Sequence, residues 1–110
     1  VQPDVFNLGA RDVSMPVVPM FHVNAWGIPY AAPMVGASMV LPGPRLDPAS
    51  LFALFEEEGV TASAGVPTIW TLLLQWLRAD PAQKFTKPPR LVVGGTALPV
   101  AITEGFLKEY

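Results

Sequence analysis

His22 is the only histidine in the chain, and so the only side chain whose ordinary pKa lies near neutrality. It follows directly on an apolar run, Val13 to Met20. A lone histidine cannot build a two-histidine metal site, and the chain has no cysteine to complete one. No Gly-x-Ser-x-Gly turn is present to pair it with a nucleophile. Two roles stay open for it: a hydrogen-bonded structural residue, or a ligand contact. Gly94-Gly95 is the second feature that could do chemistry, because paired glycines let backbone approach a ligand closely. The pair fits neither the dinucleotide fingerprint nor the phosphate-cradling loop that ends in Lys and Ser or Thr, and a plain strand-to-helix turn would explain it. Trp26 stands four residues after His22, on the same face if the segment is helical. It could line an apolar pocket, although core filling is its simpler role. Trp70 and Trp76 read as packing residues, Trp76 the more surely. Glu56-Glu57-Glu58 stands at a helix C-terminus, where the macrodipole disfavours carboxylates, and reads as a solvated end. No carboxylate pair of glycosidase type is evident.

The elements that must position these residues alternate. Short apolar runs at Val13–Met20, Ser38–Leu41, Val60–Val66 and Arg90–Val93 lack polar alternation, as parallel strands covered on both faces do. Between them lie helical patterns. Asp47 can cap a helix with Pro48 at its first position and Gly59 just past its end, and Leu51, Leu54 and Phe55 form its apolar stripe. Ile69, Leu72, Leu73, Trp76 and Leu77 carry helical spacing after Gly65-Val66-Pro67-Thr68, and Asp80-Pro81 ends that helix. Gln83 to Pro89 reads as a polar surface loop open to proteolysis. A last helix starts near Pro99. Asn24 to Val35 suits a helix kinked or broken by Pro29 and Pro33. The expected fold is therefore α/β, with a mainly parallel sheet of about four strands. Right-handed crossovers and the rule that ligands bind beyond the carboxyl ends of strands gather four segments on one rim. They are Met20-Phe21-His22, Pro42-Gly43-Pro44, Ala64-Gly65-Val66-Pro67 and Gly94-Gly95-Thr96-Ala97.

Composition narrows the partners. The 110 residues carry a net charge of −2 with scattered Lys and Arg, so no basic stripe for nucleic acid is present. Charged residues are 15% of the chain, against roughly 25% in an average soluble domain. So few charges on so short a chain predict that part of its surface is covered by the rest of a larger domain. The chain also stops on what reads as the middle of a helix, Phe106 to Tyr110. No cysteine means no disulfide framework, in keeping with a cytoplasmic setting. Val13 to Pro44 lacks any charged residue and is long enough to span a bilayer. Six prolines within it argue against a continuous spanning helix.

Four segments taken together carry a family resemblance. Pro19-Met20-Phe21-His22-Val23-Asn24-Ala25-Trp26-Gly27 resembles the Pro-Met-Phe-His-x-x-x-Trp segment of AMP-forming fatty-acyl-CoA synthetases, in the adenylate-forming superfamily. Val40-Leu41-Pro42-Gly43-Pro44, Thr61 to Thr68 and Leu91 to Pro99 follow in the family's order and spacing. The resemblance covers essentially the whole chain and implies an internal fragment, residues 1–110, of the large nucleotide- and acyl-binding domain. The reaction it implies has two steps. A medium- or long-chain fatty acid attacks the α-phosphorus of ATP to give acyl-AMP, and the CoA thiol then displaces AMP. By the same resemblance His22 and Val23 lie beside the nucleotide, and Gly94, Gly95, Thr96 and Ala97 pass along the adenine. Trp26 gates the acyl tunnel, while Gly65, Val66 and Thr68 wall it. The family's phosphate loop, its Mg2+-binding Tyr-Gly-x-Thr-Glu segment and its lid with a catalytic Lys have no match here. No catalytic residue or metal ligand is therefore assigned, and this segment alone is expected to be inactive. Partners are then the small molecules fatty acid, ATP and CoA, with room for peripheral membrane contact and for a homodimer. An adenylating enzyme for an aryl or amino acid, or a non-catalytic assembly module, are the alternatives.

Overall fold

The computed structural model describes residues 7–19, 21, 23–95, 97 and 99–110. Four parallel strands, β1 (Val13–Val17), β2 (Ser38–Met39), β3 (Ala62–Gly65) and β4 (Arg90–Val93), form one sheet in the order β2-β1-β3-β4. The expected α/β architecture and its parallel sheet are both present. β1 pairs through Ser14↔Ala62 and Val17↔Gly65 with β3, and β3 pairs through Gly65↔Val93 with β4. The Ser63 hydroxyl donates to the carbonyl of Met15, which fastens the two central strands to each other.

β2 is shorter than the predicted Ser38–Leu41, and Pro16 explains why. The Val40 N–H donates to the Ser14 carbonyl, so Ser14 presents its backbone to β2. Pro16 has the same parity along β1 and would present to the same side, but a proline has no N–H to offer. Pairing on that edge therefore stops after Met39, while β1 continues along β3 to Val17. Pro19 lies beyond the end of β1, two residues past Val17.

Among the described residues, five helical segments connect and cover the strands. They are α1 (Val23–Trp26, a single turn), α2 (Ile28–Val35), α3 (Pro48–Glu57), α4 (Pro67–Ala79) and α5 (Val100–Glu109). Asp47 caps α3 as predicted, its carboxylate accepting from the Ser50 N–H at 3.0 Å, and Gly59 follows the helix at φ 63°. The break expected within Asn24–Val35 is real but comes earlier than either proline. Ala25, Trp26 and Gly27 have φ of 50°, 56° and 75°, a left-handed run over the last two residues of α1 and the N-cap of α2 that turns the chain before α2 begins. Pro29 sits in the first turn of α2, where its missing N–H costs nothing, and Pro33 lies inside the helix.

One face of the sheet carries the larger core. Met15, Val17, Leu51, Phe55, Val60, Trp70, Leu73 and Leu77 are buried there, with Leu91, Val93, Phe106 and Tyr110 packed alongside. The other face carries Ala64 and Val92 against Ile28 and Ala32 of α2. The buried stripe of α4 is Trp70, Leu73, Leu74 and Leu77 rather than the expected set, and Leu72 is exposed. The stripe turns because α4 packs between α3 and α5 as well as on the sheet. The Gln83–Pro89 loop is anchored rather than free. The Phe85 ring lies 5.4 Å from Phe52 and 5.3 Å from Phe55, and Glu56 accepts from the Thr86 N–H and hydroxyl at 3.0 and 2.6 Å. Glu56 is thus a tether, not the purely solvated end expected of the acidic run. No helix among the described residues is long and apolar enough to cross a membrane.

Candidate functional site

The rim at the carboxyl ends of the strands brings together Trp26, Gly65, Val66, Gly94 and Gly95. The Gly94 N–H donates to the Gly65 carbonyl at 3.3 Å, extending the β3–β4 ladder by one step beyond the last strand residues. Val93 pairs with Gly65 on the α4 face, so Gly94 turns to the face that carries α2. There the indole of Trp26 lies directly upon it. A Cβ placed on Gly94 would stand 2.8 Å from Trp26 Cη2, 3.1 Å from Cζ2 and 3.3 Å from Cζ3. The same indole packs against the Ile28, Ala32 and Ala64 cluster.

Gly65 is covered by a second tryptophan on the opposite face. A Cβ there would stand 2.9 Å from Trp70 Cζ2, and the Trp70 Nε1–H donates to the Val92 carbonyl at 3.2 Å. Trp70 is fully buried while Trp76 is only half-buried, the reverse of the expected ranking. The cause is helix geometry. A long side chain in the first turns of α4 folds back toward the helix N-terminus, which places the Trp70 ring on the strand end that α4 has just left. Gly65 thus walls the rim through its backbone, and its side-chain position belongs to the core.

Gly95 differs from Gly94. Its φ is 91°, which only glycine adopts readily, and a Cβ there would meet nothing nearer than Val66 Cγ1 at 3.7 Å. Val66 is 38% exposed at the rim and Thr68 is exposed in the first turn of α4. Ala97 is exposed as well. His22 and Thr96 lie outside the described residues, as does the side chain of Val23. Among the described residues the rim between Trp26 and Gly95 carries no charged side chain and offers apolar surface and bare backbone.

Among the described residues, the groups with displaced pKa values that the structure shows lie elsewhere. Asp12, Thr61 and Arg90 meet at the amino ends of β1, β3 and β4. Thr61 Oγ1 donates to Asp12 at 2.7 Å, the Gly9 N–H donates at 2.8 Å, and Arg90 Nη2 lies 3.0 Å away. Burial pushes the Asp12 carboxyl up, but these donors outweigh it and hold its pKa below the ordinary carboxylate value. A cavity of about 500 Å³ adjoins this end of the sheet, between Phe55, Glu56, Thr61 and Arg90. A second, of about 430 Å³, lies between Phe85, Leu91 and Phe106. Neither is at the glycine rim.

Comparisons with known proteins identify the family. The family described as AMP-binding enzyme matches residues 1–110. The chain is 57% identical to the long-chain-fatty-acid–CoA ligase of Thermus thermophilus over 90% of its length, and covers 18% of that protein. It is 54% identical to the medium-chain-fatty-acid–CoA ligase of Ectopseudomonas oleovorans over 98% of its length, and covers 20% of that one. It spans about a fifth of the length of these relatives. Among solved structures, the N-terminal domain of FACL13 from Mycobacterium tuberculosis superposes with a TM-score of 0.77 over 97% of this chain and 26% of its own. The identity there is 24%, so that likeness is one of fold. With a family match across every residue and relatives more than half identical over nine-tenths or more of its length, the chain belongs to the AMP-binding enzyme family.

Proposed function

We propose that this chain is an internal segment, residues 1–110, of the large domain of an acid–thiol ligase. The ligase activates a medium- or long-chain fatty acid with ATP and passes the acyl group to CoA. The carboxylate attacks the α-phosphorus of ATP, pyrophosphate leaves, and the CoA thiol then displaces AMP from the acyl-adenylate. The observation that carries the reading is the seating of Trp26 on Gly94. It puts a large apolar wall immediately beside a stretch of bare backbone, which is what a site joining an alkyl chain to a nucleotide needs.

The roles are those that the family resemblance implies. Gly95 has no side chain to keep a flat ring away, and its φ of 91° turns the chain sharply off β4. Gly94, Gly95, Thr96 and Ala97 pass along the adenine, with His22 and Val23 beside the phosphate and acyl junction. Trp26, Val66 and Thr68 wall the acyl side, and Gly65 contributes backbone beneath them. The Mg2+ that phosphoryl chemistry uses to neutralise developing charge is held by residues outside this segment. The enzyme is cytoplasmic, with small molecules as partners.

The test is acid-dependent ATP–pyrophosphate exchange by the whole ligase that contains this segment, with acids of graded chain length and the Trp26→Ala variant alongside. Exchange that depends on a medium- or long-chain acid is expected, with a changed length preference in the variant. Exchange supported only by an aryl or amino acid would move the enzyme to another substrate class. No exchange with any acid would leave a non-catalytic assembly module in front.

A further inference from the structure

The two neighbouring glycines at the end of β4 are glycine for different reasons. Gly95 is required by its backbone, whose φ of 91° strains any side chain, while the space around it is ordinary. Gly94 has no such φ, and its constraint is space alone, since a single methyl there would overlap Trp26 Cη2 and crowd two further carbons of its ring. On the other side, the backbone of Trp26 is not free to retreat. Its own φ of 56° lies in a left-handed run with Ala25 and Gly27, and Ala25 is fully buried. Its ring is also packed on the Ile28, Ala32 and Ala64 cluster.

We propose that Gly94 is a positioning residue for acid selection, fixing how far the Trp26 indole advances over the strand ends. This rests on the ligase reading above. Residue 94 acts through the indole and not by touching the acid. Because the backbone of Trp26 is held in its turn, a methyl at position 94 rotates the ring away from β4 instead of moving the whole segment. The space beside the glycine loop then changes shape at the point where the alkyl chain would lie.

The experiment is a double-mutant cycle in the whole ligase with Gly94→Ala, Trp26→Ala and the pair, read in two ways. In pyrophosphate exchange, Gly94→Ala is expected to raise KM for the preferred acid by about tenfold and to shift the preferred chain length. KM for ATP should rise by less than KM for the acid. Added to Trp26→Ala, the same methyl should no longer change KM for the acid. In chemical unfolding, Gly94→Ala is expected to lower the midpoint when Trp26 is present and not when it is absent. Should Gly94→Ala alone fail to fold, recovery of folded protein in the double variant supports the proposal equally. Equal effects of the methyl in both backgrounds, or a rise in KM for ATP as large as that for the acid, would overturn the proposal and assign Gly94 to the nucleotide loop alone. Absence of exchange with every acid would instead sink the ligase reading, and the unfolding cycle would still decide whether Gly94 seats the indole.

Discussion

At the residue scale, the rim is organised by two tryptophans acting on two strand ends from opposite faces. Trp70 is the structural one. It is fully buried, its ring lies where a Gly65 side chain would be, and its Nε1–H satisfies the Val92 carbonyl. Trp70→Phe is expected to cost about 1 kcal/mol for the lost hydrogen bond. Trp70→Ala should cost roughly 3–5 kcal/mol for the cavity, both measured by urea unfolding. Equal losses in the two variants would mean that the hydrogen bond, and not the ring volume, holds the strand end. Gly95→Ala makes a sharper local claim: its strain is of backbone origin, about 1–2 kcal/mol, and should persist with Trp26→Ala in place. Most of the residues concerned are legible in the sequence as types: a glycine pair after a strand, an aromatic after an apolar run. The seating of Trp26 on Gly94 is not, because it joins residues far apart in the chain through a left-handed turn that no residue at positions 25 or 26 signals.

At the scale of elements, local chemistry sets the boundaries that stand within one connection, and tertiary packing sets the rest. Asp47, Pro48 and Gly59 delimit α3 by capping rules alone, and β4 begins and ends where its apolar run does. The length of β2 is hidden from its own residues because it depends on a proline in the neighbouring strand. The anchoring of the loop before β4 is hidden for a similar reason, since its polarity says surface while Phe85 and Thr86 are claimed by α3. Phe85→Ala removes a half-buried ring that packs tilted on Phe52 and edge-on to Phe55, and is expected to cost about 2 kcal/mol. The variant should also become sensitive to limited proteolysis between Gln83 and Pro89, with cleavage elsewhere unchanged. If the loop resists protease equally in the variant, the Glu56–Thr86 hydrogen bonds are the true anchor.

At the scale of the whole molecule, the sheet is closed at its two ends by opposite chemistries. The carboxyl ends present glycine backbone and indole, while the amino ends are tied by charge. Asp12 gathers the starts of three strands: it accepts from Thr61, which itself accepts from the Val13 N–H at 2.9 Å, and it faces Arg90 at the head of β4. Its side chain is 13% exposed, so these bonds are partly withdrawn from water. The folded-state pKa is lowered, so the stabilisation is complete above the unfolded-state value of about 4. It is lost as pH falls from there through the folded-state value. Asp12→Asn keeps the shape but removes the charge that Arg90 faces. At pH 7 it is expected to destabilise the protein by about 2 kcal/mol, within the range for hydrogen bonds to a charged group. The difference between wild type and variant should then shrink as pH is lowered below about 4, where the wild-type carboxyl takes up its proton. Urea unfolding at a series of pH values reads this directly. A difference that stays constant down to about pH 2 would show that Asp12 ties the strands by shape alone, with its charge idle.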